Sequence, residues 1–193
     1  MITARDFGKA FLWKANQEGI TVGNLQLQKL AYYCQGYFIA LHGEKLFDEK
    51  INAYNLGPVV TSLYREYKGV KEISLDKFKE GSSIFKSLDK RIKSTIDYVL
   101  NLVGHLSAWD LVLKTHQESP WMNHSLGINK ADGCEITTEE MKVFFKSELS
   151  KLQDLHLVGV INALEASEKS GAIEIPESVL DNDDDFIAWA KNL

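Results

Sequence analysis

The stretch between Gly23 and Gly43 constrains the fold more than any other part of the chain. Leu27, Leu30, Ala31, Cys34, Phe38 and Leu41 recur at helical spacing and form one apolar stripe, while Tyr33, Tyr37, Ile39 and Ala40 add apolar surface on the other sides. A helix with a single apolar face lies on a surface; one that is apolar nearly all round has to be enclosed. Residues 25–42 are therefore predicted to be the central buried helix of a mainly α, compact helical domain, with a short β element near 46–54.

Enclosing such a helix takes material, and the chain has it: 193 residues, 45% hydrophobic and 25% charged, the profile of a globular protein that needs neither metal nor disulfides to fold. Residues 1–193 are read as a single domain. The two cysteines, Cys34 and Cys134, lie far apart, one within the apolar helix and one in a loop-like Asp-Gly-Cys-Glu, so both are expected as reduced thiols in a cytoplasmic protein. Met1-Ile2-Thr3-Ala4-Arg5-Asp6 lacks the basic start and apolar run of a signal peptide, and no stretch reaches the length of a membrane span; no membrane association is expected. A formal charge of −5 argues against nucleic acid as a partner. The local basic run of Lys86, Lys90, Arg91 and Lys93 alternates with Leu88, Ile92, Ile96, Val99 and Val103, and reads as the solvated face of a helix.

The remaining elements follow from caps and breakers. Thr3 with Asp6 is a capping-box variant that opens a helix over 4–18, carrying Phe7, Ala10, Phe11 and Ala15. Leu46 to Tyr54 alternates over too short a stretch for a helix and predicts a strand or hairpin. Gly57-Pro58 reads as a sharp corner with proline at the first position of a short helix over 58–67, which carries Val60, Leu63, Tyr64 and Tyr67. Gly69 to Gly81 is polar and unassigned; helices are predicted over 88–103 and from Ser107, with Asp110 as its capping partner, to His116. Pro120 stops that helix, Trp121 to Glu135 reads as a loop with one extended piece, and Thr137 with Glu140 forms another capping box. Further helices are predicted over 154–169 and from Asp183-Asp184-Asp185, so that residues 136–193 are expected to form a helical C-terminal extension packed on the rest.

Catalytic signatures are absent: no phosphate-binding glycine loop, no Gly-x-Ser-x-Gly elbow and no His-Glu-x-x-His helix. No cofactor and no enzymatic activity are expected. The weak metal candidates are His116, Glu118 and His124, since imidazoles and a carboxylate near a helix end can converge on zinc; they would support a metal-dependent hydrolase or deaminase, although the Pro-Cys-x-x-Cys of the zinc deaminases is missing. The alternative for His116 is a helix-terminal imidazole that bonds a last-turn carbonyl or packs on Trp121. Asp183 to Asp185 lacks the spacing of a calcium loop and reads as helix capping. Tyr32, Tyr33, Tyr37, Phe38, Tyr54, Tyr64 and Tyr67 crowd into one region; the core accounts for about half, and the remainder would make a tyrosine-rich face of the kind found in protein interfaces.

Leu27-Gln28-Lys29-Leu30-Ala31-Tyr32-Tyr33-Cys34-Gln35-Gly36, then Leu46-Phe47, Ala53-Tyr54-Asn55-Leu56-Gly57-Pro58-Val59-Val60 and Leu63-Tyr64, resemble in order and spacing the Panacea, or SocA-like, antitoxin domain. Leu106-Ser107, Thr115-His116 and Pro120-Trp121 resemble that family's second recurring block, so that the resemblance covers residues 5–125. Its motif residues here are Gln28, Lys29, Leu30, Tyr33, Gly57, Pro58, Leu63, Tyr64, His116, Pro120 and Trp121. The resemblance implies the antitoxin of a bacterial or phage toxin–antitoxin pair, which binds a cognate toxin protein encoded by the adjacent gene. It also implies an alternative, seen in one branch of the family: a proteolytic adaptor that delivers its partner to an energy-dependent protease. Lys29, Tyr33, Tyr64, Tyr67 and Trp121 are the expected partner contacts, because exposed Tyr, Trp and long basic side chains dominate interface energetics.

Overall fold

Every residue from Leu27 to Ile39 is buried, and the other elements are laid around that run. The computed structural model describes residues 2–69, 78–125 and 134–151. The helices expected over 154–169 and from Asp183 lie outside those residues. The chain divides into two units, 1–147 and 148–193, and the elements below belong to the first apart from the end of the last helix.

Helix α1 (Ala4–Gln17) starts where Thr3 accepts a hydrogen bond from the Asp6 amide, as the capping motif predicts. Helix α2 (Asn24–His42) is the central helix and ends at Gly43 in the left-handed conformation. Strands β1 (Ile51–Tyr54) and β2 (Gly57–Val60) form an antiparallel hairpin, with Ile51 opposite Val60 and Tyr54 opposite Gly57. Then come α3 (Thr61–Glu66), α4 (Phe78–Ser87) and α5 (Lys90–Val103), the last capped by Asp89. Helix α6 (Ala108–His116) opens on a full Ser107–Asp110 capping box, and α7 (Ser119–Met122) takes Pro120 in its first turn. Strand β3 (Cys134–Ile136) adds antiparallel to β1, giving the order β2-β1-β3, and α8 (Thr138–Lys151) follows, with Thr137 and Glu140 exchanging hydrogen bonds at its start. The described residues thus hold eight helices and one three-stranded sheet, a mainly α fold with a short β element. None of their helices is long and apolar enough to cross a membrane.

Trp121 and Met122, expected at the start of a loop, close the short helix α7, and three further assignments change. Gly57-Pro58 begins a strand, and the helix expected from residue 58 starts at Thr61. The reason is tertiary: side chains of α2 occupy the backbone groups on the outer side of β2, holding those residues extended. Leu46 and Phe47 are buried but precede the strand, which begins at Ile51. The unassigned stretch up to Gly81 ends inside α4, which packs along α1 with Trp13 against Phe85 at a centroid distance of 5.1 Å. Cys34 and Cys134 are both free thiols.

The core holds two aromatic clusters. Phe7 contacts Phe11 and Phe47 at 5.6 Å on one side. On the other, Phe145 of α8 meets Tyr32, Tyr33 and Tyr37 edge-on, an arrangement that suits the ring quadrupoles. Within this apolar surround α2 also buries Gln28, Lys29 and Gln35, and these polar side chains determine how the hairpin is held.

Candidate functional site

A buried polar group is tolerated only where it is hydrogen-bonded, so each of the three has to find partners. Gln35 donates to the Phe47 carbonyl at 2.8 Å and accepts from the amides of Leu46 and Phe47 at 2.9 and 3.2 Å. Gln28 accepts from the Val60 amide at 3.1 Å and donates to Asn24 Oδ1 at 2.8 Å; Asn24 in turn donates to the Tyr64 carbonyl at 3.2 Å. Lys29 Nζ donates to the Pro58 carbonyl at 2.9 Å. The central helix therefore stands in for a further strand, using side chains where a sheet would use backbone.

The corner after β1 is closed by the same means. Gly57 has φ +96°, and a Cβ there would lie 2.7 Å from both Lys29 Cε and Thr115 Oγ1, so the position admits only glycine. Trp121 Nε1 donates to the Tyr54 carbonyl at 2.9 Å, and His116 stacks on Trp121 at a centroid distance of 3.8 Å with 12° between the planes. That is the packing alternative named for His116 above. Its pKa is lowered by burial and then by the nearby Lys29 charge, against a hydrogen bond to the Asn55 backbone.

Lys29 is fully buried, and loss of hydration lowers its pKa to about 7. Between that value and the usual 10.5 the unfolded chain holds a proton that the folded one lacks, so stability rises with pH there; below about 7 the contribution is flat. From pH 7 to 8.5 the wild type is expected to gain up to about 1.4 kcal/mol per pH unit relative to Lys29→Met. Denaturant titrations of the two proteins side by side check this, since the difference cancels the opposing ionisation of Cys34, Tyr32 and Tyr67. Equal slopes would mean that Lys29 keeps an ordinary pKa.

A second polar knot joins α2 to the turn after α6. Tyr33 donates its hydroxyl to Glu118 Oε1 at 2.7 Å, Lys114 Nζ lies 3.3 Å from the same oxygen, and the Lys114 ammonium sits 5.6 Å from the Tyr33 ring centroid. Burial pushes the Glu118 carboxyl up, which Tyr33 and Lys114 partly offset. His124 lies apart and bonds Glu140 at 2.9 Å. Against the raising effect of burial, the Thr137 amide and hydroxyl, then His124, hold the Glu140 carboxyl down at about 2. The three metal candidates thus enter three separate arrangements: His116 on Trp121, Glu118 under Tyr33, His124 on Glu140. Among the described residues no three His, Cys, Asp or Glu side chains converge as a metal site.

The expected partner contacts divide in the same way. Lys29, Tyr33 and Tyr67 are buried and present no surface, and Trp121, half-buried, turns its indole N–H inward. Tyr64 is 41% exposed and stands beside Leu56 at 43%. Both line a surface groove of about 550 Å³ between α2, the hairpin turn and α3, whose walls also include Leu25, Tyr54, Asn55, Val59, Arg65 and Lys68. Leu56, Arg65 and Lys68 were not picked out from the sequence, nor were Trp109 and Leu113, exposed one turn apart on α6. For Arg65 and Lys68 a signal was available: Leu63 of α3 and Tyr67 just after it are buried one turn apart and mark the inner face, which leaves Tyr64, Arg65 and Lys68 exposed.

The family model described as antitoxin SocA-like, Panacea domain, matches residues 27–122. Antitoxin SocA from Caulobacter vibrioides (strain NA1000 / CB15N) is 31% identical over 156 residues, covering 75% of this chain and 83% of that protein. The chain belongs to the SocA-like antitoxin family. The Panacea match runs from Leu27 in α2 to the end of α7, and so contains Lys29, the hairpin, Glu118 and Trp121, while α8 lies beyond it. Protein Ycf2 from Physcomitrium patens is also 31% identical, over 139 residues that make up 70% of this chain and 6% of that protein. No solved structure matches the chain.

Proposed function

We propose that this SocA-like protein neutralises a cognate toxin by binding it directly, without catalysis, and that the toxin is the product of the adjacent gene in a bacterial or phage genome. The observation that carries this reading is the similarity to antitoxin SocA over most of both chains. The geometry supports it. Two buried titratable groups with shifted pKa values, Lys29 and Glu118, bond a backbone carbonyl and a tyrosine of the protein's own interior. The open groove carries Tyr54, Tyr64 and Arg65, residue types enriched in protein interfaces.

The test is expression of the adjacent reading frame alone and together with this protein. Expected are growth arrest with the neighbour alone, recovery on co-expression, and a complex that survives size exclusion. Recovery without a complex would exclude direct binding, and absence of toxicity would exclude the toxin–antitoxin pairing.

A further inference from the structure

We infer that the groove between α2, the hairpin turn and α3 is where the partner is held, and that its occupant is an acidic protein segment with an apolar or aromatic anchor. This rests on the reading of direct neutralisation and adds to it a place and a chemistry.

Charge complementarity carries the choice of occupant. The chain has 27 acidic against 22 basic residues, yet among the described residues no carboxylate lines the groove, and the charged residues that do are Arg65 and Lys68. Several cations elsewhere, though not all, are matched from within: Arg5 with Glu66, Lys9 with Glu80, Lys14 with Asp97, Arg91 with Glu44. Arg65 and Lys68 make no ion pair among the described residues and stay exposed. An incoming carboxylate therefore finds two cations that need not first leave an internal partner.

The walls supply the anchor site. Leu56 and Tyr64 are both exposed in the lining, and the volume of about 550 Å³ falls within the range that holds a few side chains. Beneath them the amides of Asn24 and Gln28 are tied to each other, to the Tyr64 carbonyl and to the Val60 amide, so the floor is already set before anything binds. Little ordering is then left to oppose association. The exposed pair Trp109 and Leu113 on α6 has no such cationic rim: Lys114 beside it is committed to Glu118.

The test uses the full chain and the product of the adjacent gene, with affinity measured by calorimetry at two ionic strengths. Arg65→Glu with Lys68→Glu is expected to weaken binding on the order of 100-fold and to flatten its salt dependence. Leu56→Asp is expected to weaken it comparably, whereas Trp109→Ala with Leu113→Ala changes it less than about threefold. Circular dichroism and thermal unfolding confirm that the variants fold, and reversing an acidic residue of the partner to lysine should restore binding to the double-Glu variant. Loss of binding in the α6 variant with the groove variants unaffected overturns the inference and leaves direct neutralisation standing. Self-association of the wild type that Arg65→Glu abolishes overturns it too, because the occupant is then a second copy. A wild type that binds no product removes the neutralisation reading itself, and that is read from the wild-type arm alone.

Discussion

Phe145→Ala is expected to lower the unfolding free energy by about 4 kcal/mol and the thermal midpoint by about 10 °C, followed by circular dichroism. The ring is fully buried and touches three tyrosines of α2, with centroids 5.2 Å from Tyr32, 6.0 Å from Tyr33 and 4.8 Å from Tyr37. It also lies directly over Gly36, where an added Cβ would run into three of its ring carbons. Glycine in the middle of a helix costs roughly 1 kcal/mol against alanine, and here the cost is offset by letting α8 reach the central helix. Gly36→Ala should therefore destabilise by about 2–3 kcal/mol where propensity alone would stabilise. In Gly36→Ala/Phe145→Leu the two losses should be smaller than their sum, because the smaller side chain leaves room for the new methyl. Additive losses would mean that α8 does not dock on α2 through this contact.

Gln35→Leu is the second large effect. It keeps the volume and helix propensity of the site but removes the partner of the Leu46 and Phe47 amides and of the Phe47 carbonyl. At about 1–3 kcal/mol for each buried group left unpaired, the expected loss is about 4 kcal/mol, read from denaturant unfolding. Hydrogen exchange localises it: the Leu46 and Phe47 amides should lose protection first, ahead of α5 and α6. Gln35→Glu retains an acceptor for both amides and should keep their protection better than leucine does, while turning the former donor toward the Phe47 carbonyl into a repelling oxygen. Uniform loss of protection across the protein in Gln35→Leu would show that this tether has no local identity.

What could be read ahead of the structure was what the chain settles over short distances. The pairs Thr3 with Asp6, Ser107 with Asp110 and Thr137 with Glu140 each decide a helix start within one turn, and all three helices begin there. His116 and Trp121 are near enough in sequence for their stacking to be anticipated. The enclosure of α2 followed from its pattern, because an all-round apolar surface admits few alternatives. Assignments failed where the deciding partner is remote. Gly57-Pro58 has the local chemistry of a helix start, and becomes a strand because Gln28 and Lys29, about thirty positions earlier, hold its backbone extended. Lysine is almost never fully buried unless paired, and the burial of Lys29 and Tyr33 rests on remote partners, Pro58 for the first and Glu118, 85 positions away, for the second. The groove was not legible at all, since it exists only once α2, the hairpin turn and α3 are brought together.

The run from Leu27 to Ile39 faces inward along its whole length, and this separates two kinds of evolutionary freedom. Substitutions within it are charged against folding. Substitutions at Leu56, Tyr64, Arg65 or Lys68 touch the surface and shift stability by about 0.5 kcal/mol or less. The surface around the groove can accordingly be altered while the interior stays the same. Change at such positions is thereby uncoupled from the survival of the fold.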